Sequence, residues 1–430
     1  MAPRPLPALI VDLILKNTDP ETLFTCSLVC SSWVYPSRTR LFATVTLQAD
    51  HPTRNLQAFI HCLEASSLGI FIRKLVLHAK QQATVNTHTL CAVLSRTKYL
   101  SALHLSNVSC NDTDCGLFPL RAEFQIGSLH IYHPGTVTDT CQNVLHVLGL
   151  FSRIDEFVLS YAERGPSTLR ANIPAEALFV MPIPLRLSVG ALRFGYFAHS
   201  DFYAEIFRRT RTREALKALS VQCSDSGPCY LTSLALLLLD ARLSLEQLSL
   251  EFTDCFAGSN EREKDGGSSA IVGGSGGAPP LHCAAREHIA DKLRPALAAL
   301  DALDTFSLQV LLPAQMSDTS QAWSLMMCML SALPTSSIRH LSLTLQDDVE
   351  KTTSFGDPWC KLRANWDHLR SLLETFPGLQ TVTFASTTSK CEPGSRHLEP
   401  LEAQHIQNQL SGFARRNILR FAPARPRKGE

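Results

Sequence analysis

The chain has 430 residues, of which 45% are hydrophobic and 18% are charged, and its formal net charge is +1 at pH 7. This composition is typical of a folded globular protein and excludes a largely disordered chain. The near-zero net charge creates no overall field that would attract nucleic acid or an anionic membrane surface, so we expect neither as a partner. The longest apolar run, residues 234–239, is too short to span a bilayer.

Residues 6–42 have the pattern of three short helices. Pro7 and Pro20 fit the first turns of the first two helices, where a missing N–H costs nothing, and Pro36 should end or kink the following run. Apolar residues recur at helical spacing at Leu6, Ile10, Leu13 and Ile14, and again at Leu23, Cys26, Val29, Cys30 and Trp33. Such short helices cannot bury all of this surface among themselves, so the rest of the chain or a partner should cover part of it.

The apolar start of the chain could instead be a signal peptide. Asp12 interrupts the apolar run and no small-residue cleavage site follows it, so we do not expect one. The 14 cysteines are scattered, without a Cys-x-x-Cys pair or a zinc-finger spacing. We therefore expect reduced cysteines, no metal site, and a location in the cytoplasm, the nucleus or both.

From residue 42 onward, the pattern apolar-x-x-apolar-x-apolar occurs eleven times. Its last two apolar residues alternate with a polar one, which predicts a short strand with one buried face. The central apolar residues of the copies are Val45, Leu75, Leu103, Leu129, Phe157, Leu192, Leu219, Leu248, Phe306, Leu341 and Val382. The steps between the first eight run from 26 to 35 residues, which indicates a structural repeat.

Amphipathic helical segments lie between the copies. They are residues 87–94, 138–150, 201–208, 231–239, 285–300, 321–333 and 363–375. One strand and one helix per repeat predicts an α/β solenoid, with a curved parallel sheet inside and helices outside. An ordinary α/β domain with a leucine bias would give a similar pattern and stays an alternative.

Two segments lack this period. Residues 257–280 are rich in Gly and Ser and predict a flexible insertion, which is not a phosphate loop because no Gly-Lys-Ser/Thr follows the glycines. Residues 398–413 predict a last amphipathic helix that caps the repeats. Residues 414–430 predict a basic disordered tail, with a weak nuclear-import or nucleic-acid patch as the alternative.

The sequence contains no recognisable catalytic constellation. It lacks a Gly-x-Ser-x-Gly motif, a His-Glu-x-x-His motif and a dinucleotide-binding fingerprint after a strand. We therefore expect no enzyme activity, no catalytic residues and no cofactor. An enzyme with an unrecognised site is the least favoured of the open hypotheses.

The strand alternation also predicts which side chains face outward from the sheet. They are Val76, His104, His130, Val158, Arg193, Ser220, Ser249, Ser307, Ser342 and Thr383. Sheet surfaces of repeat proteins commonly bind partners, and this mixed set with little charge favours a protein over a phosphate backbone. Among them we select His104, His130 and Arg193 as candidate substrate-binding residues.

The first helical stretch resembles the F-box motif, especially its fungal form. The matching residues are Leu6, Pro7, Ile10, Ile14, Leu23, Val29, Cys30, Trp33, Leu41 and Phe42, and they cover about a tenth of the chain. The acidic residue usual two positions after the Leu-Pro pair is replaced by Leu9. The repeats resemble an irregular leucine-rich-repeat horseshoe by spacing, and only Asn107 in LHLSN keeps the asparagine of that motif.

The resemblance implies that part of the motif contacts the Skp adaptor of a cullin-based ubiquitin ligase or holds the helices that do. The residues concerned are Leu6, Pro7, Ile10, Ile14, Leu23, Val29, Cys30 and Trp33. The expected organisation is an F-box-like module at 1–42, a repeat domain at 43–413 and the tail at 414–430. The resemblance then implies a substrate-recognition subunit that binds an unknown protein substrate through its repeats.

The alternative hypothesis is a non-enzymatic interaction scaffold whose first helices only cap the domain behind them. The two hypotheses differ in where they place Ile10, Ile14 and Trp33. The ligase hypothesis requires these side chains to be presented to a partner, and the scaffold hypothesis requires them to be buried against the repeat around residues 72–77.

Overall fold

A computed structural model describes the protein at residues 6–29, 31–51, 56–111, 124–133, 140–161, 183–195, 200–223, 228–252, 281–312, 319–347, 359, 365–388 and 398–423. The chain divides into two units. Unit 1 comprises residues 1–195 with 210–212, and unit 2 comprises residues 196–209 with 213–430. Unit 1 thus contains the first helices together with the first six repeats. The sequence analysis instead predicts domain boundaries after residues 42 and 413.

Unit 1 begins with three helices, which we call the head helices: α1 (Ala8–Lys16), α2 (Pro20–Val29) and α3 (Ser31–Leu41). Asp19 caps α2 by accepting a hydrogen bond of 2.9 Å from the backbone N–H of Thr22, which lowers the pKa of the Asp19 carboxyl. The cap therefore forms where the sequence places the start of the second helix.

Pro36 lies inside α3 and does not end it. A proline removes one hydrogen bond of a helix, but α3 packs against both α1 and α2. This tertiary packing outweighs the local cost of the proline, which the sequence pattern alone could not show.

Among the described residues, six strands of unit 1 pair in a sheet. They are β1 (Thr44–Gln48), β2 (Lys74–Asn86), β3 (Ala102–Asn111), β4 (Phe124–His133), β5 (Phe151–Tyr161) and β6 (Ser188–Gly195). Each strand pairs in parallel with the next one along the chain. Helices α4 (Leu56–Ala65), α5 (Thr87–Arg96) and α6 (Thr140–Leu148) lie between strands in the chain.

The register of these strands confirms the first six copies of the repeat pattern. Val45 is partly exposed and is paired with Leu75, and the row continues through Leu103, Leu129 and Phe157 to Leu192. The five side chains from Leu75 to Leu192 are almost fully buried. The central apolar residues from Leu75 onward therefore form one continuous buried row across neighbouring strands.

Asn107 interrupts the pairing of β2 with β3. It has a positive φ of 58°, and the register shifts beside it between His78 and Ala83. Its side-chain amide donates a hydrogen bond of 2.9 Å to the carbonyl oxygen of Ala79 in the preceding repeat. Asparagine tolerates this left-handed conformation better than most residues, and its side chain holds the longer β2 against β3.

Unit 2 repeats the same arrangement of parallel strands paired in chain order. The strands are β7 (Ala218–Cys223), β8 (Gln247–Phe252), β9 (Thr305–Leu312), β10 (His340–Asp347), β11 (Thr381–Thr388) and β12 (Leu419–Phe421). The buried row runs from Leu219 through Leu248, Phe306 and Leu341 to Val382. It confirms the remaining five copies of the pattern.

The helices of unit 2 follow the predicted segments within a few residues. They are α7 (Ser200–Arg209), α9 (Pro228–Asp240), α10 (Leu281–Ala298), α11 (Thr319–Ser331), α12 (Trp366–Glu374), α13 (Pro400–Gln409) and α14 (Ser411–Arg415), with a short α8 (Thr212–Ala215) at the unit boundary. β8 pairs directly with β9, so the two strands are neighbours in the sheet despite the long step between these two copies. The predicted flexible insertion at 257–280 lies outside the described residues.

The chain stays ordered beyond residue 414, where a disordered tail was expected. Helix α14 ends at Arg415, and β12 then pairs with β11, with Leu419 opposite Val382. Ile418 and Leu419 are buried. This strand is the twelfth among the described residues, and the surrounding arginines gave no sign of it in the sequence. Residues 424–430 lie outside the described part.

A buried carboxylate holds the last repeats of unit 2 together. Glu402 on α13 is fully buried and accepts hydrogen bonds from the backbone N–H groups of Trp359 and Glu399, both at 3.1 Å. It also accepts from the Ser386 hydroxyl on β11 at 3.3 Å. The indole N–H of Trp359 donates to the Ala385 carbonyl at 3.1 Å. A buried charge needs such partners, so Glu402 joins α13, β11 and Trp359.

We predict that Glu402→Ala lowers the free energy of unfolding of unit 2 by about 3 kcal/mol, because several buried donors lose their acceptor. Denaturant unfolding of the full chain, followed by tryptophan fluorescence, measures the change. Glu374→Ala at the exposed end of α12 is the matched control and should change the midpoint little. Equal midpoints for the two variants would contradict a structural role of the Glu402 carboxylate.

Candidate interaction surfaces

One side of α1 is apolar and exposed to solvent. The exposed fractions are 82% for Leu9, 43% for Ile10, 63% for Leu13 and 45% for Ile14, with Leu6 just before the helix at 50%. At 3.6 residues per turn the four helical residues cover an arc of about 140°. Val11 and Leu15 lie outside this arc and are buried. We call the side formed by Leu6, Leu9, Ile10, Leu13 and Ile14 the α1 apolar face.

Two interactions hold α1 in place while this face stays open. Val11 and Leu15 pack with Leu23 in a small core, against which Cys26, Trp33 and Leu41 are partly buried. On the exposed side of the contact, the guanidinium of Arg40 on α3 donates to the Asp12 carboxylate at 2.6 Å. In the described part of the chain, these contacts hold α1 from the side opposite its apolar face.

The structure divides the residues assigned by the F-box resemblance into two groups. Leu6, Pro7, Ile10, Ile14 and Val29 are exposed, so they are free to contact a partner. Leu23 and Trp33 belong to the small core, so they hold the helices. Val29 is exposed and Leu23 is buried, although both belong to the same helical spacing in the sequence, and Cys30 lies outside the described residues.

Sequence reasoning missed several members of the exposed surface. Leu9 was treated as a departure from the motif, and Leu13 was not assigned a contact, although both are more exposed than Ile10. Phe24 and Leu28 on α2 are exposed as well. A helical projection of α1 places Leu9 and Leu13 beside Ile10 and Ile14, so the signal was present in the spacing.

The second candidate surface is the side of the unit 1 sheet that faces away from the buried leucine row, which we call the open face. All five outward residues predicted for this unit lie there, and each is partly or largely exposed. They form one row across the strands, in the order Val76, His104, His130, Val158 and Arg193. The alternation predicted from the sequence is therefore confirmed.

His104 and His130 stack on this face. Their ring centroids are 4.1 Å apart and the rings are nearly parallel, with an angle of 7°. Burial, followed by the nearby His130 and Lys74, lowers the pKa of His104 to about 4. Burial also lowers the pKa of His130, with smaller contributions from Lys74 and Arg193, and Glu156 opposes the shift. Both rings are therefore neutral at pH 7.

Arg193 lies two strands beyond His130 and forms an ion pair with Glu156 on β5. The guanidinium nitrogen and the carboxylate oxygen are 3.1 Å apart, and the Arg193 side chain is 62% exposed. An ion pair this exposed is weak and exchanges readily with other partners. The structure thus brings His104, His130 and Arg193 to one face, as candidates for contact rather than for catalysis.

The corresponding face of unit 2 is chemically different. Its row consists of Ser220, Ser249, Ser307, Ser342 and Thr383, all partly exposed as predicted. These small hydroxyl side chains form a row without charged residues. It offers hydrogen bonds but no charge that would select a ligand.

Within the described ranges, no three His, Cys, Asp or Glu side chains are grouped so that they could hold a metal ion. None of the helices in the same ranges is long and apolar enough to cross a membrane. A scan against protein-family models finds no match, and a search of curated proteins finds none either.

We predict that acidification destabilises unit 1 through the stacked histidines. Because the folded-state pKa of His104 lies below 6.5, the unfolded chain takes up the proton first as the pH falls. The stabilisation by the neutral pair is fully present above pH 6.5 and is lost as the pH falls towards about 4.

Thermal unfolding at a series of pH values tests this prediction. The midpoint of the unchanged protein should fall more steeply over this range than that of His104→Gln, which has no imidazole to protonate. His368→Gln, at an exposed position on α12, is the control and should follow the unchanged protein. Parallel curves for the unchanged protein and His104→Gln would contradict the prediction.

Proposed function

We propose that this protein is a substrate-recognition subunit of a Skp–cullin–F-box type ubiquitin ligase. The head helices bind the Skp-type adaptor and, through it, a cullin, and the strand faces bind a protein substrate. The observation that carries the proposal is the α1 apolar face, which is exposed on the segment that resembles an F-box. The resemblance supplies the identity of the adaptor, and the exposure supports docking there.

The energetics of this face favour an intermolecular contact. Full burial of one Leu or Ile side chain contributes about 1.5–3 kcal/mol. Several such residues, side by side on one rigid helix, can offset the several kcal/mol that association costs. Left open to water, a contiguous apolar surface of this kind promotes aggregation, so it is typical of a binding site.

The scaffold hypothesis required Ile10 and Ile14 to be buried against the repeat around residues 72–77. Their exposure favours the ligase hypothesis instead. Trp33 packs against the small core of the head helices, so it does not meet the requirement that the ligase hypothesis sets for this residue, and the proposal depends on Ile10 and Ile14.

For the body of the chain we propose a leucine-rich-repeat-like solenoid, with parallel strands inside and helices outside in each unit. Two observations support it: the strands pair in chain order, and Asn107 donates to the backbone of the preceding repeat. A solenoid presents a rigid row of side chains on its strands, which suits the binding of a protein substrate.

In this role the protein does no chemistry of its own. Ubiquitin transfer would be accelerated because the substrate is held near the transferring enzyme, so the effect is one of proximity. We propose accordingly that the protein is not an enzyme, requires no cofactor or metal, and acts in the cytoplasm or the nucleus.

Co-purification of a Skp-type adaptor with the full chain tests the proposal. We expect the unchanged protein to retain the adaptor and the double variant Ile10→Asp, Ile14→Asp to lose it, because two charges would enter an apolar contact. Leu243→Asp, at an exposed leucine in unit 2, is the matched control and should retain the adaptor. Failure of the unchanged protein to bind would leave the scaffold hypothesis.

We further predict that Leu9 contributes directly to adaptor binding, although the motif usually has an acid there. Leu9→Glu should weaken the affinity about tenfold or more, because an apolar side chain on the α1 apolar face is replaced by a charge. Titration of the purified adaptor by calorimetry measures the change. An unchanged affinity would place Leu9 outside the contact, while loss of folding would appear in the circular dichroism spectrum.

A further inference from the structure

Besides His78, the open face of unit 1 combines four side chains that carry or can acquire a positive charge. Lys74 lies on β2, His104 on β3, His130 on β4 and Arg193 on β6. Lys74 is one row away from the other three, in register with Ala102, Ser128 and Glu156. Among the described open-face positions of these two rows, Glu156 is the one carboxylate.

We propose that this part of the open face binds an acidic segment of the substrate protein and takes up a proton when it does so. The inference rests on the proposed function only in calling the partner a substrate. The binding chemistry follows from the face itself. The ligand that the open face fits is a peptide rich in carboxylate side chains.

The stacked histidines are neutral without a ligand and can become positively charged when an acidic ligand binds. Without a ligand they stay neutral, because burial disfavours the charged rings. Two imidazolium rings with centroids 4.1 Å apart would also repel each other, and Lys74 adds to the repulsion. A carboxylate placed over the rings would reverse this balance and favour the protonated form. Binding of an acidic ligand and protonation of the pair are therefore linked.

The charged and titratable groups that face the stack come from four strands. Lys74 and His78 lie on β2, Tyr132 beside His130 on β4, Glu156 on β5 and Arg193 on β6. Glu156 works against an acidic ligand because it pairs with Arg193 and its own charge repels carboxylates. Its effect on His130 is opposite, since it favours the protonated ring, but burial outweighs this effect. Removal of Glu156 should therefore strengthen acidic binding near neutral pH.

The size of the face fits a short extended segment. Neighbouring strands lie about 4.8 Å apart, so the four steps from β2 to β6 span about 19 Å. An extended peptide rises about 3.3 Å per residue, so about six residues cross the row. In the same row, Val158 lies between His130 and Arg193 and Val76 lies at the β2 end, so both can provide apolar contact to the peptide.

The test uses the full chain and a fluorescein-labelled peptide of about ten residues with alternating Glu and Ser, long enough to cross the row. Peptides with Gln or Lys in place of Glu are the controls. Fluorescence anisotropy at about pH 7.5 and about pH 5.5 should show selective binding of the Glu peptide, about tenfold tighter at the lower pH.

Three variants assign the effect to named residues. The double variant His104→Gln, His130→Gln should bind the Glu peptide at the higher pH and lose the gain on acidification. Glu156→Gln should bind it several-fold tighter at the higher pH, and Arg193→Gln should bind it more weakly at both. Arg193 is largely exposed, so its substitution gives a result even where the histidine variant fails to fold.

Two results would overturn the inference. One is equal affinity for the Glu and Gln peptides, or a preference for the Lys peptide, which would assign the face to another class of partner. The other is an undiminished gain on acidification in a folded His104→Gln, His130→Gln variant. Adaptor co-purification with the same variants separates the two proposals, because it depends on the α1 apolar face and should not change.

Discussion

In-register parallel pairing of consecutive strands is the constraint on which the rest of the structure depends. Each strand brings its central apolar residue against that of its neighbour, as in the row from Leu75 to Leu192 in unit 1 and from Leu219 to Val382 in unit 2. A slip of one residue would turn these side chains to the solvent and polar ones inward, so burial and register enforce each other. The helices pack where this register leaves apolar surface.

This constraint acts on one face of each sheet and leaves the other face free. On the buried side the residues are almost all Leu, Ile, Val or Phe, since each must fill space between strand and helix. On the other side unit 1 has two histidines and an arginine in its row, while unit 2 has four serines and a threonine. Side chains that the fold does not require can differ in this way, so the specificity of the protein is expected to lie there.

The head helices show the opposite relation between fold and binding. A core of Val11, Leu15 and Leu23 is small, and α1 depends on it together with the ion pair of Arg40 with Asp12. The remaining apolar side chains of α1 do not belong to this core and are exposed to water. Such a surface is costly for a monomer and useful for a subunit, which is the physical basis for proposing an adaptor.

The sequence pattern alone predicts eleven of the twelve described strands, nearly all the helices between them and the outward row of strand residues in each unit. These features depend on the alternation of apolar residues over a few positions, and local alternation decides burial when one face is covered. It also identified the residues that meet on the open face, His104, His130 and Arg193, because a shared position in the repeat implies a shared row.

Tertiary packing alone shows which side of α1 is buried, that α3 continues through Pro36, and that Leu419 and Phe421 belong to a last described strand. It also decided that two histidines 26 residues apart stack and remain neutral, and that Glu402 is buried beside Trp359. In each case the deciding contact joins residues far apart in the chain. Its free energy comes from packing and desolvation between elements, and a local pattern contains no information about either.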